Sequence, residues 1–383
     1  MNPEIERLLE KERFRQNSSI NLIASENFAS DAVVELSGSL FTNKYAEGYP
    51  SARYYNGCEH YDEIENMAIK YAKQIFQCGY ANVQPHSGAN ANLAVMNAFL
   101  KPGDTILTMS LADGGHLSHG SPVNISGKLY NVVHYGVDAG GNLDYDDIEK
   151  LAIEHEPKMI VAGASAYSKQ IDWHMFKNIA NKVNAYFLAD MAHYSGLIAA
   201  GVYDTPVDWA DFVTSTTHKT LRGPRGGLIL WNNDKYSKKI NSSVFPGTQG
   251  GPLMNQIAAK AQCFWEASQP YFYEYAKAVK LNAYVMCETF KKEGYDIVSG
   301  GTQSHMFILD LTSKNISGKV VADELEKNGI VVNKNSIPND TRGPRETSGI
   351  RIGVAAETTR VGTRSDWFAD LAYKIIDIIG EIQ

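Results

Sequence analysis

The apolar residues of this 383-residue chain fall into two alternating patterns, short uninterrupted runs and longer stretches with helical spacing. Buried strands are predicted at 105–109 and 159–164, and further strands at 131–135, 185–189, 211–215 and 227–231. Helices are predicted at 60–77 and 89–100, and between several of the runs. Strands separated by helices are typical of a mostly parallel sheet with helices on both faces, so we expect an α/β fold.

The two ends of the chain depart from this alternation. Residues 3–16 have helical spacing and are followed by an extended segment at 20–23, which together predict an N-terminal helix and arm. A long helical stretch is predicted at 265–296. The rest mixes predicted strands and helices near 305–311, 318–328, 330–333 and 364–380. We therefore expect three parts: a helix and arm at 1–40, a large domain at 41–264 and a small C-terminal α+β domain at 265–383.

Composition narrows the class of protein. The hydrophobic fraction of 44% is enough for a large core, and the net charge of −7 argues against a protein that mainly neutralises nucleic-acid phosphates. The four cysteines form neither a C-x-x-C pair nor a secreted framework, so we expect reduced thiols and no metal site. Residues 1–15 are charged, and no apolar run approaches the roughly 20 residues of a membrane span, so we expect a soluble cytoplasmic protein.

The strongest chemical signal is Lys219, which lies among small hydroxyl residues directly after the predicted strand at 211–215. A lysine amine attacks a carbonyl only when it is neutral, so a lysine with that role needs a lowered pKa and a rigid backbone. His218 and Arg222 are candidates to supply part of that environment. The alternative for Lys219 alone is a solvated loop lysine.

A second signal is Asp190, which ends the apolar run that begins at 185 and precedes His193 by three residues. A carboxylate at the carboxyl end of a strand can keep the ring nitrogen of pyridoxal phosphate protonated, as that cofactor requires. Asp190 and Lys219 follow neighbouring strands, and ligands of α/β sheets bind outside the carboxyl ends of the strands. The alternative is that Asp190 only caps the next helix.

Two further segments could hold the ends of a bound cofactor and substrate. The turn at 85–91 contains Ser87, Gly88 and Ala89 and opens a helix, so its backbone amides could bind a phosphate, although helix capping alone also explains it. Arg351 lies on an alternating strand-like segment at 348–353. Its guanidinium is a candidate to bind a substrate carboxylate, with a surface salt bridge as the alternative.

Four uninterrupted blocks connect these signals: residues 21–27 (NLIASEN), 43–50 (NKYAEGYP), 215–220 (STTHKT) and 348–353 (SGIRIG). In these blocks and their order the chain resembles the serine hydroxymethyltransferase family, pyridoxal-phosphate enzymes of the aspartate-aminotransferase fold type. The resemblance implies reversible transfer of the hydroxymethyl carbon of serine to tetrahydrofolate, which gives glycine and 5,10-methylenetetrahydrofolate through an aldimine of the cofactor. It also implies an obligate homodimer with composite active sites.

The resemblance implies roles for individual residues. The implied catalytic residues are Lys219, Glu47, His218, Tyr55 and Asp190. The implied cofactor-binding residues are Lys219, Ser87, Gly88, Ala89, His116, Ser165, Asp190, His193, Thr216, Tyr45, Gly250 and Gly251. Substrate binding is implied for Ser25, Tyr55, Glu47 and Arg351. Folate binding is implied for Glu47, Tyr54, Leu111, Gly115, Leu117 and Asn335.

The chain departs from the family pattern at several positions. Ala89 replaces the usual serine, which predicts weaker cofactor retention, and Asp113 replaces a histidine near the site. Segment 343–345 and residues Val354 and Ala355 also differ, and the C-terminus is short. These departures leave two alternatives: a folate-independent threonine aldolase or transaldolase that uses the same cofactor, or a non-catalytic paralogue. Retention of Lys219, Asp190, Arg351 and Glu47 argues against the paralogue.

Overall fold

The computed structural model describes residues 1–382. The α-helices in this range are α1 Pro3–Ser18, α2 Asp31–Ser37, α3 Glu59–Phe76, α4 Gly88–Phe99, α5 Ile125–Leu129, α6 Tyr145–His155, α7 Trp173–Lys182, α8 Ser195–Ala199, α9 Ser237–Ser242, α10 Met254–Ala267, α11 Pro270–Lys292, α12 Gly318–Lys327, α13 Ala355–Val361 and α14 Ser365–Ile382. None of these helices is long and apolar enough to cross a membrane.

The strands of the described range form two main sheets and two small pairs. Their bounds are β1 Ile20–Asn21, β2 Gly48–Tyr49, β3 Ala52–Arg53, β4 Tyr80–Asn82, β5 Thr105–Met109, β6 Asn131–Tyr135, β7 Met159–Ala162, β8 Tyr186–Asp190, β9 Phe212–Thr216, β10 Gly227–Trp231, β11 Asp296–Ile297, β12 Met306–Asp310, β13 Ile330–Val331, β14 Asn333–Asn335 and β15 Gly349–Gly353.

The larger sheet has the strand order β4-β10-β9-β8-β7-β5-β6. Strands β5 to β9 are mutually parallel, and β10 runs antiparallel to both of its neighbours. Adjacent residues of one strand pack into different hydrophobic clusters, as Leu107 and Ile106 of β5 do. Both faces of the sheet are therefore covered, which explains why the strands are uninterrupted apolar runs. The predicted α/β class is confirmed.

The smaller sheet has the order β11-β12-β15-β14 and is antiparallel throughout. Helices α11 and α14 pack together beside it. The N-terminal arm joins this part of the chain because β1 pairs in parallel with β13, in the register Ile20 to Ile330. This pairing brings the segment that follows β1 close to β15, where the Gly353 amide donates a hydrogen bond to the Leu22 carbonyl at 2.8 Å.

The prediction of one helical stretch over 265–296 is wrong. The chain instead forms α10 and α11, which are separated by Ser268 and Gln269. Pro270 stands in the first turn of α11, where its missing amide hydrogen costs nothing, whereas inside a continuous helix it would break the hydrogen-bond ladder. Helix α11 ends at Lys292, and Gly294 then adopts a positive φ of 77°. The predicted domain boundaries at 40 and 264 stay a prediction.

Candidate active site

A cavity of about 530 Å³ lies at the carboxyl ends of β8 and β9. Its lining comes from Ser25, Glu26, Ser87, Gly88, Ala89, His116, His119, Ala164, Ser165, Asp190, Ala192, His193, Thr216, His218, Lys219, Arg225 and Arg351. Twelve of these residues are among those that the sequence nominated, although they come from segments up to 326 positions apart, from Ser25 to Arg351. The cavity lies where a parallel sheet is expected to bind its ligand.

Lys219 lies in the connection between β9 and β10 and is only 7% exposed. Burial lowers the pKa of its amine to about 8, against the opposing effect of Asp190, and the positive charges of Arg351 and Arg225 lower it further. The Asn27 amide donates a hydrogen bond to the Lys219 carbonyl at 3.0 Å, which anchors its backbone. The site thus supplies the two properties that a nucleophilic lysine needs, a lowered pKa and a held backbone.

The prediction that Arg222 supplies part of the environment of Lys219 holds for its backbone, since the Arg222 amide donates a hydrogen bond to the Lys219 carbonyl at 3.1 Å, but not for its charged group. The Arg222 guanidinium instead lies over the ring of Tyr275, 4.8 Å from its centroid. Arg222 adopts a left-handed backbone conformation, with a φ of 62°, and its side chain does not line the cavity. Arg225 lines the cavity in its place.

Asp190 is held as an ionised carboxylate. Its Oδ2 accepts hydrogen bonds from the Asn92 amide and from His119 Nε2, both at 2.8 Å, and its Oδ1 accepts one from the Ala192 amide at 3.0 Å. Burial opposes ionisation, but the bonds from His119 and Asn92 hold the pKa of Asp190 well below its ordinary value. A carboxylate has about four acceptor positions, so one is left for a group in the cavity.

Three histidines of the cavity, His116, His193 and His218, are neutral at neutral pH. Burial lowers the pKa of His116 to about 4 and that of His218 to about 3, and it lowers the pKa of His193 well below the ordinary value. The Ser118 amide donates to His116 Nδ1 at 3.1 Å, so the His116 proton is on Nε2. His193 Nδ1 lies 3.3 Å from His305 Nε2. The same His305 nitrogen donates a hydrogen bond to the Ala24 carbonyl.

The N-terminus of α4 opens onto the cavity. Ser87 is the N-cap, and its Oγ accepts a hydrogen bond from the Asn90 amide at 3.2 Å. Gly88 packs so closely against β9 that a Cβ at its position would lie 2.7 Å from Thr216 Cγ2. The Asn90 amide is thus capped, whereas the amides of Gly88 and Ala89, the first two residues of α4, have no partners within the helix and are available to an anion. Ser87 therefore has the capping role named above as an alternative, and it also lines the cavity.

Arg351 lies on β15 and reaches the cavity from the smaller sheet. Its Nε donates to Asn333 Oδ1 at 3.0 Å, and its Nη1 donates to the Ser165 carbonyl. Its neighbours Ile350 and Ile352 are fully buried on the other face of the strand. Burial lowers the pKa of Arg351 to about 10, so its guanidinium stays charged at neutral pH. No carboxylate within residues 1–382 forms an ion pair with Arg351, which leaves its charge free for a ligand.

Ten predicted site residues do not line this cavity, and six of them lie close together elsewhere: Tyr45, Glu47, Tyr54, Tyr55, Gly250 and Gly251. They form a separate exposed cluster, in which the rings of Tyr45 and Tyr55 meet at 5.5 Å and a Cβ on Gly251 would lie 2.9 Å from the Tyr45 ring. The hairpin of β2 and β3 carries part of this cluster. Arg53 anchors the hairpin through ion pairs with Asp62 at 2.8 Å and with the buried Glu65 at 2.6 Å.

The predicted folate residues are divided between two places. Leu111, Gly115 and Leu117 follow the carboxyl end of β5, in the loop that also carries His116, and both leucines are about half exposed. Asn335 ends β14 and lines a small crevice together with Asp113. Asp113 does not line the main cavity, and burial raises its pKa. The divergent segment 343–345 is an exposed loop, whereas Val354 and Ala355 are buried at the start of α13.

Sequence reasoning missed four polar residues of the site, among them Glu26, which lines the cavity. His119 and Asn92 hold Asp190, and Arg225 lowers the pKa of Lys219. His119 stands three residues after His116 in a glycine-rich loop, and this spacing could have suggested it. Asn92 is one of three asparagines in α4, and nothing in the sequence distinguishes it as the buried one or identifies its partner.

Comparison with known proteins gives one consistent result. A family model described as serine hydroxymethyltransferase matches residues 1–375. The chain is 56% identical over 380 residues to a serine hydroxymethyltransferase of Endomicrobium trichonymphae, covering 99% of this chain and 91% of that protein. It is 57% identical over 375 residues to serine hydroxymethyltransferase 1 of Pseudomonas fluorescens, covering 98% and 90%. It is 55% identical over 386 residues to a serine hydroxymethyltransferase of Halorhodospira halophila, covering 99% and 92%.

Proposed function

The chain belongs to the serine hydroxymethyltransferase family, and we propose that the cavity around Lys219 is where it carries out the reaction of that family. The enzyme transfers the hydroxymethyl carbon of serine reversibly to tetrahydrofolate, giving glycine and 5,10-methylenetetrahydrofolate, with pyridoxal phosphate as its cofactor. The observation that supports the location best is the convergence of Lys219, Asp190 and Arg351 on one cavity.

The residues of the cavity fit pyridoxal phosphate. Asp190 offers an ionised oxygen to a protonated ring nitrogen, and the amides of Gly88 and Ala89 offer donors to a phosphate. His218 Nδ1 is buried without a hydrogen-bond partner among the described residues, which is the state expected of a group that serves a ligand. When bound, the cofactor withdraws electrons from the substrate Cα, so that the bond to the hydroxymethyl carbon can break.

The protein groups supply position and protons. Lys219 offers a neutral amine near pH 8, and Asp190 keeps a negative charge opposite the ring nitrogen. Neutral His116 and His193 present uncharged rings to the cavity, which avoids repulsion with a cationic cofactor ring. We assign the cofactor's remaining polar contacts to Ser87, Ser165 and Thr216, which line the same cavity.

We assign the substrate carboxylate to Arg351 and Ser25. Arg351 is charged and buried and has no carboxylate partner, so binding an anion restores a pairing that the isolated protein lacks. Its bonds to Asn333 and to the Ser165 carbonyl orient the guanidinium before the substrate arrives. A carboxylate held by two parallel bonds sets the orientation of Cα toward Lys219.

We assign the exposed cluster of Glu47, Tyr45, Tyr54, Tyr55, Gly250 and Gly251 to the active site of the partner subunit in a homodimer, the state typical of the family. The assignment is supported by the exposure of Tyr45, Tyr54 and Tyr55, at 59%, 74% and 45%, because exposed aromatic side chains are favoured at interfaces. Glu47 would then move the proton of the substrate hydroxyl. Leu111, Gly115, Leu117 and Asn335 remain our candidates for folate contact.

We also propose a cytoplasmic location, since the four cysteines are free and buried, as is usual in a reducing compartment. For the chain as a whole we keep the division into parts at 1–40, 41–264 and 265–383. This division is supported by the separation of the two main sheets along the chain, because the last strand of the larger sheet ends at Trp231 and the first strand of the smaller sheet begins at Asp296.

Serine cleavage measured with and without tetrahydrofolate tests this function. We expect production of glycine from serine to rise by about a hundredfold or more when tetrahydrofolate is added, because the folate captures the released carbon. Equal rates with and without folate, together with cleavage of threonine at a similar rate, would instead identify a folate-independent aldolase. Glycine formation would be followed by mass spectrometry with isotopically labelled serine.

Replacing Arg351 by lysine is expected to raise the KM for serine by about a hundredfold, which corresponds to about 3 kcal/mol. Lysine keeps the positive charge but offers no planar fork, and it cannot keep the bond from Arg351 Nε to Asn333. Cofactor affinity should stay unchanged, and steady-state kinetics with a cofactor titration measure both quantities. A variant with normal KM for serine would remove Arg351 from the carboxylate site.

A further inference from the structure

Lys260 is a buried lysine that the reaction described above does not use. It lies in the middle of α10, is 1% exposed and faces the interior behind the turn at 83–88. Its Nζ donates three hydrogen bonds, to the carbonyls of Val83 at 2.6 Å, Gly227 at 2.9 Å and Pro85 at 3.0 Å. Burial lowers the pKa of Lys260 to about 7, and the three carbonyl acceptors favour its ammonium form because a neutral amine has only two N–H groups to donate.

Burying a charged side chain at this position costs free energy, so a lysine is expected here only if its hydrogen bonds serve the structure. An apolar residue such as methionine would fill the same space in α10 without the desolvation penalty. The three carbonyls belong to the chain leaving β4 and to the first residue of β10, and Lys260 is the group that joins them. Without its ammonium, the Val83 and Gly227 carbonyls would lose this buried donor.

The surroundings of Lys260 are shaped to keep it in place. A Cβ on Gly226 would lie 2.3 Å from Lys260 Cε and 2.9 Å from its Nζ, so a larger residue there would displace the lysine side chain. The Gly227 amide donates to the Pro85 carbonyl at 2.9 Å, and a Cβ on Gly227 would lie 2.2 Å from the Ser87 carbonyl. The Pro85 carbonyl therefore accepts hydrogen bonds from both the Gly227 amide and Lys260 Nζ, and these two bonds hold the turn against β10.

We propose that Lys260 is a positioning residue for the phosphate-binding turn, which it holds so that the first amides of α4 face the cavity before the cofactor binds. Pro85 is two residues before Ser87, the N-cap of α4, so a shift at Pro85 displaces Gly88 and Ala89 directly. The Lys260 charge also extends to the cavity, where it contributes to the lowered pKa of His218. The inference rests on the proposed role of the α4 N-terminus as the phosphate site.

Hydrogen–deuterium exchange of the cofactor-free protein, together with pyridoxal phosphate titration, tests the proposal. In Lys260→Met we expect faster exchange confined to peptides covering 82–92 and 223–228, and a cofactor dissociation constant raised about tenfold. The KM for serine at saturating cofactor should be unchanged. The matched control is Lys280→Met, which removes one lysine–carbonyl bond, to Val202 at 2.7 Å, far along α11 and should change neither quantity.

Gly226→Ala is the second variant, and it carries the test if Lys260→Met does not fold. It keeps the ammonium but displaces it, so the same peptides should exchange faster, with a smaller rise in the dissociation constant. Unchanged exchange in 82–92, or an increase spread evenly over the whole chain, would overturn the proposal. If cofactor fails to protect 82–92 in the wild type, the phosphate site itself is misassigned, and the exchange of the cofactor-free variants still decides the role of Lys260.

Discussion

Replacing Lys219 by alanine is expected to abolish the borohydride-trappable adduct with pyridoxal phosphate and to lower serine cleavage by about a thousandfold or more. Lys219 is the lysine that lines the cavity beside Asp190, and its amine is the nucleophile that the site provides. The adduct would be located by peptide mass spectrometry after reduction. Because Asp190 and the α4 N-terminus remain, the variant should still bind the cofactor without a covalent bond.

The pH dependence of adduct formation tests the same assignment without a mutation. Burial lowers the pKa of Lys219 to about 8 in the cofactor-free protein, and the neutral amine is the reactive form, so the rate should rise as the pH is raised through about 8. Lys238→Ala, which removes an exposed lysine of α9, is the control and should keep both the adduct and the profile. An adduct on any other lysine in the wild type would contradict the assignment.

Mixing the Lys219→Ala and Glu47→Gln proteins after dissociation is expected to restore activity to about a quarter of the wild-type level. The activity of each variant alone should fall by about a hundredfold or more, because each lacks a group needed for nucleophilic attack or proton transfer. In a mixed dimer, however, one site combines the intact Lys219 of one subunit with the intact Glu47 of the other. Half of the randomly formed dimers are mixed, and each contains one complete site.

A control mixture distinguishes this effect from simple stabilisation. Lys219 and Asp190 line the same cavity of one chain, so a mixture of Lys219→Ala with Asp190→Asn leaves every site defective and should gain nothing. Activity would be assayed after dilution from denaturant and reassociation. If the mixture with Glu47→Gln also gains nothing while dimers form, Glu47 does not serve the partner's site, and the exposed cluster around Tyr55 needs another explanation.

Local patterns predicted much of the fold, and particular elements show why. The segments predicted at 105–109, 131–135 and 227–231 agree with β5, β6 and β10, and in β10 the reason is that a strand buried on both faces is apolar along its length. The stretch at 265–296 was predicted wrongly because its apolar residues continue with helical spacing across Ser268 and Gln269. The helix is interrupted there because Pro270 has no amide hydrogen to donate within a continuous helix. The spacing of apolar residues does not record this missing hydrogen bond.

By itself the sequence determined the α/β class, the candidacy of Lys219, Asp190 and Arg351, and through whole motifs the family. Only the tertiary structure decided that Asn92 and His119 hold Asp190, that Arg225 rather than Arg222 faces Lys219, and that Lys260 joins three carbonyls. The physical reason is the distance along the chain between the residues that determine each property. Secondary structure and motifs depend on neighbours along the chain, whereas the pKa of a buried group depends on charges and hydrogen bonds from distant segments, whose positions are set by packing.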